Sequence, residues 1–172
     1  SSSLSRMNTT PIVFTDLRAA NFVNRLSLLT RSVALLSFHK AEHNAILIKN
    51  TGRRYSYFSA FDEKVIFLDN VCREKVVDIL CREEAIWRDE LAYENVAYIN
   101  GLNTEKMMRY IREHEPVYKY NKLSNNCARF AADVLLAGCD TKAGKFRHNR
   151  PWQMPANTLE LAKEINLSLM LR

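Results

Sequence analysis

The alternation of apolar and polar positions divides the chain into strand-length runs and helical stretches. Leu17, Ala20, Phe22, Leu26 and Leu29 recur near helical spacing and predict a first helix over Asp16 to Thr30. Arg31 to Phe38, Asn44 to Lys49, Arg54 to Phe61, Lys64 to Leu68 and Asn95 to Ile99 are short and rich in apolar residues, which predicts five strands. Asn50-Thr51-Gly52-Arg53 is turn chemistry and joins the second and third strands as a hairpin. From Glu74 to Tyr93 the residues Val77, Leu80, Cys81, Glu84, Trp87 and Leu91 fall at three- and four-residue steps, which predicts a long helix.

Three more helices follow from cap chemistry. Asn103 caps a helix running to His114, and Pro116 ends it. Ser124-Asn125-Asn126 precedes the apolar run from Cys127 to Ala137, with Gly138 where a left-handed C-terminal residue belongs. Asn157 with Glu160 three residues on predicts the cap of a short closing helix. The fold class is therefore α+β, an antiparallel sheet packed against helices. Residues 1–10 read as a polar, flexible arm and 11–172 as a single domain.

Composition narrows the function classes. At 172 residues with 47% hydrophobic and 26% charged residues, the chain can bury a core without a metal or cofactor to staple it. No apolar run approaches the ~20 residues of a membrane-spanning helix. The start lacks the order of a Sec signal, which points to synthesis in the cytoplasm. The net charge of +6 is modest, and its clearest cluster is Lys142, Lys145, Arg147, His148 and Arg150, read first as a solvated loop and second as a nucleic-acid surface.

The four cysteines, Cys72, Cys81, Cys127 and Cys139, show no metal-ligand spacing, so no metal is expected. Cys127 differs from the other three by its place in the first turn of a helix. The positive helix end and its outward N–H groups favour a thiolate there. A nucleophilic cysteine also needs a base, and the histidines are His39, His43, His114 and His148. His43 begins a core strand, a rigid place from which a ring can face a helix start.

His43-Asn-Ala-Ile-Leu-Ile, followed by Tyr120-Asn-Lys-Leu-Ser-Asn-Asn-Cys127-Ala-Arg-Phe-Ala-Ala-Asp-Val-Leu, resembles the signature of circularly permuted NlpC-like papain-fold cysteine hydrolases. That group includes lecithin:retinol acyltransferase-like proteins and several bacterial effectors. The likeness spans roughly His43 to Gly138, and Met154-Pro155-Ala156-Asn157-Thr158-Leu159 is similar to a segment that often follows in bacterial members. It implies a permuted papain-like fold with Cys127 as nucleophile and His43 as general base. The family's third member, a polar orienter on the next strand, falls near Tyr55 or Ser56, with Ser59 and Asp62 as alternatives if the hairpin register differs. This is where the sequence departs from the pattern, since none of the first three carries a charge to steady an imidazolium.

The resemblance implies acyl transfer through a thioester at Cys127, on an amide or acyl bond of a peptide, peptidoglycan or host protein. It also implies a secreted effector that meets a secretion apparatus, immunity protein or chaperone. The competing reading is a non-catalytic interaction module with a degenerate papain-like site. Fold alone does not choose between them.

Overall fold

The computed structural model describes residues 23–24, 32–38, 43–61, 64–82, 96–140 and 145–171. Strands β1 (Ser32–Phe38), β2 (His43–Lys49), β3 (Tyr55–Phe61), β4 (Lys64–Val71) and β5 (Val96–Asn100) form one sheet in the order β4-β3-β2-β1-β5. Every pairing is antiparallel. The strands match the sequence expectation closely, except that β4 runs on to Val71. The predicted arm lies outside the described residues, as do most of the predicted first helix and the second half of the long one.

Helix α1 (Arg73–Arg82) follows β4, α2 (Thr104–His114) follows β5, and α3 (Cys127–Ala137) and α4 (Pro155–Met170) close the chain. Because side chains alternate across a strand, the sheet has two apolar faces. Val33, Leu35, Ile46, Ile48, Phe58 and Ile99 face the core shared with α2, α3 and α4. Ala34, Leu36, Ala45, Leu47, Tyr55 and Tyr57 face the other way, toward Val76 and Leu80 of α1. The central strand β2 is thus buried on both faces, which is why its sequence reads as an almost continuous apolar run.

The α3 side is anchored by aromatic packing. Phe130 stacks on Phe58 of β3 with ring centroids 4.1 Å apart, and Tyr118 meets Phe130 edge-on at 5.0 Å. Asn103 caps α2 as predicted, its side chain accepting from the Lys106 N–H at 3.1 Å.

Two helix ends differ from the sequence expectation. Gly138 has φ −87 and ψ −1, so it is not a left-handed cap. Its role is spatial: a Cβ there would lie 2.6 Å from Met107 Cγ and 3.1 Å from Asn103 O, so only glycine lets α3 end against α2. Helix α4 starts at Pro155 rather than after Asn157. Proline at the first helical position has its φ preset and no N–H to satisfy, and this overrides the later cap signal.

Candidate functional site

Asn126 sets the position of Cys127. Its backbone is extended, with φ −86 and ψ 179, and its side-chain oxygen accepts from the Arg129 N–H at 2.8 Å. Its amide nitrogen donates to Lys122 O and to Gln153 O, each at 3.0 Å. One side chain therefore caps α3 and ties the loop before it to the loop before α4. Thr158 Oγ1 donates to Ala128 O at 3.0 Å, seating the first turn of α4 on the first turn of α3.

Cys127 is the first residue of α3, as predicted, and is 5% exposed. It begins the stripe that continues through Phe130, Ala131 and Val134 into the core against the sheet. Tyr118 lies within electrostatic reach. Burial first, then the charges of Cys127 and Tyr120, raises the Tyr118 hydroxyl well above its ordinary value. It stays protonated and donates to Asn125 O at 2.7 Å.

His43 occupies the first position of β2 and is fully buried. Its register with Phe38, continuous through Ala45 opposite Leu36, puts it on the same sheet face as Ala45 and Leu47. Among the described elements α1 packs on that face and α3 on the other. His43 Nε2 lies 2.9 Å from Ser59 Oγ, on the same face of β3. Burial lowers the ring's pKa from 6.5 to about 4, so the imidazole is neutral at pH 7.

The structure therefore brings His43 together with Ser59 and sets Cys127 on the opposite side of the sheet. Tyr55, the expected orienter, pairs with Lys49 at the far end of the hairpin and does not meet His43. The reason is register: Ala45 stands opposite Ser59, so it is the fifth residue of β3, not the first, that comes beside the start of β2. Ser56 holds Asn70 N at 2.9 Å and Asn50 Nδ2 at 2.8 Å, also at that far end. Asp62 lies outside the described residues.

Sequence reasoning missed Asn44 and Ser37. They stand opposite each other on β2 and β1, on the face that α3 and α4 cover. Asn44 Nδ2 donates weakly to Pro155 O at 3.4 Å. Asn44 Oδ1 and Ser37 Oγ are buried with no hydrogen-bond partner among the described residues. Each such atom costs about 1–3 kcal/mol, so a polar pair under two helix starts marks this end of the fold as more than packing. A polar Asn at the head of the apolar run Ala45 to Ile48 was the available signal.

The remaining candidates have local partners. His114 stacks on Tyr110 at 3.9 Å and its Nδ1 lies 2.8 Å from Tyr110 O. His148 Nδ1 lies 2.6 Å from Glu164 Oε1. Cys72 is exposed and Cys139 half-buried. Comparison of this sequence and structure with protein-family models, curated proteins and solved structures gives no match.

Proposed function

We propose that this chain is a non-catalytic interaction module, built on a degenerate papain-like site. The observation that carries the reading is the placement of His43, a neutral ring held by Ser59 on the sheet face opposite α3. A Cys–His pair needs hydrogen-bond reach between the two groups and an imidazole whose pKa lies near the working pH. A buried ring titrating near 4 does not suit the second demand, its Nε2 is engaged by Ser59, and a hydroxyl beside it does not stabilise an imidazolium as a carboxylate does.

The second reading, a cysteine hydrolase acting on an amide or acyl bond, draws support from the capped start of α3 at Cys127 and from the buried Asn44 and Ser37 on that side. In it the Cys127 thiolate attacks a carbonyl, the leaving group departs with a proton, and water releases the acyl group from sulfur. It requires a base on the α3 side of the sheet. A peptide, peptidoglycan or host-protein substrate and a secreted effector role belong to this reading.

Limiting iodoacetamide on the native protein, read residue by residue across a pH series, separates the two. The module reading expects Cys127 to label more slowly than the exposed Cys72 and to be indifferent to His43→Ala. Fast labelling of Cys127 at neutral pH, with a low apparent pKa that His43→Ala abolishes, would instead establish the hydrolase.

A further inference from the structure

A cluster of positive charge surrounds the start of α3. Between Glu115 and Asp133, and again between Asp140 and Glu160, there is no carboxylate side chain. Six of the basic side chains in these two stretches, Lys119, Lys122, Arg129, Lys145, Arg147 and Arg150, lie among the described residues. The bonds of Asn126 to Lys122 O and Gln153 O bring the two stretches together in space. Arg129 reinforces the junction, donating to Asn149 Oδ1 at 2.8 Å and to Arg150 O at 2.6 Å.

The same junction carries exposed apolar side chains. Leu123 is 71% exposed, Trp152 71% and Met154 58%. Leu123 sits in a turn fixed by Asn121 Oδ1, which accepts from the N–H groups of Leu123 and Ser124. Trp152 sits in a bend fixed by Gln153, which accepts from Arg150 N at 2.9 Å and donates to His148 O at 2.9 Å. The apolar tips are thus held out by their own backbones, with Lys119, Lys122, Arg147 and Arg150 exposed in the same loops.

We propose that this surface docks on an anionic lipid bilayer, Trp152, Leu123 and Met154 entering the interface while the lysines and arginines meet the headgroups. Tryptophan at the headgroup level beside basic residues is the chemistry of interfacial binding. Protruding aliphatic tips suit an acyl boundary, whereas a peptide needs a groove and Leu and Met give a nucleic acid nothing to hydrogen-bond. This names a partner for the module reading but rests on the surface alone. Cys127→Ala leaves docking intact, so vesicle binding and thiol reactivity fail separately.

The test is co-sedimentation of the full chain with vesicles of phosphatidylcholine alone and of a two-to-one mixture with phosphatidylglycerol. Binding to the mixed vesicles only is expected, weakening steeply as NaCl rises from ~50 to ~500 mM. Each charge removed in Lys122→Gln and Arg150→Gln should weaken binding about fivefold, and Trp152→Ala about tenfold. All three side chains are exposed, so the fold tolerates these changes. Equal binding to both vesicles, none at low salt, or indifference to Trp152→Ala overturns the proposal. So does tighter binding of a single-stranded oligouridylate than of the mixed vesicles, which would make the surface a nucleic-acid site.

Discussion

His43 makes folding depend on pH in a direction its surroundings fix. Its folded pKa, about 4, lies below the 6.5 of a free imidazole, so between those values the unfolded chain binds more protons. Stability from this group is complete above pH 6.5 and is lost as pH falls toward 4, by roughly 3 kcal/mol in all. Urea unfolding of wild type and His43→Gln should therefore diverge between pH 7 and 5, the variant showing the shallower slope. Parallel slopes would mean that the ring is not buried neutral. Gly138 gives a second residue-scale test, because its φ is one that any residue adopts. Gly138→Ala should cost about 1–3 kcal/mol by crowding Met107 and Asn103 O, and the same change should cost less when made in a Met107→Ala background.

At the scale of elements, Glu164 of α4 pins the basic loop. It accepts from the Arg147 N–H at 3.1 Å and the His148 N–H at 2.8 Å, and faces the His148 ring. Burial works to raise its pKa, but the His148 and Arg147 hydrogen bonds outweigh it and hold the carboxyl below its ordinary 4.5. A depressed carboxylate stabilises the fold above its unfolded pKa and loses that contribution as pH falls through the folded one. Hydrogen exchange at the Arg147 and His148 amides should accelerate as pH falls below 4.5, after correction for intrinsic rates. In Glu164→Gln it should already be fast at pH 7. Unchanged protection in the variant would assign the loop's order to Arg129 and Gln153 instead.

Elements were also the scale best legible in the sequence. The hairpin turn at Asn50 to Arg53 and the caps at Asn103 and Asn126 are local chemistry, so their residues suffice to place them. The start of α4 was not, because Asn157 and Pro155 send competing signals two residues apart. The site was legible only in half. Cys127 at a helix start follows from the cap, but the side to which His43 projects depends on which parity of β2 the helices cover. His43-Asn-Ala-Ile-Leu-Ile-Lys is apolar on both parities, since both faces of the sheet are covered. Ser59 beside His43 likewise depends on a register that loop length alone does not fix.

For the whole molecule, the sheet separates two chemistries. The α3 side holds Cys127, Asn44, Ser37 and the basic, Trp-bearing loops, while the α1 side holds His43 and Ser59. Core and surface on the α3 side should respond very differently to truncation. Phe130→Ala removes the ring stacked on Phe58 and should cost about 3–5 kcal/mol in urea unfolding, whereas Trp152→Ala should stay within about 0.5 kcal/mol. Comparable losses would mean that Trp152 is packed rather than presented.

The separation of His43 from Cys127 across the sheet is tested most directly by an NMR pH titration of carbon-13-labelled histidine, in wild type and in Cys127→Ala. A pKa for His43 near 4, the same in both proteins, is the predicted result. A pKa above 6.5 in wild type that drops when the thiol is removed would reveal an imidazolium paired with a Cys127 thiolate, and would contradict it.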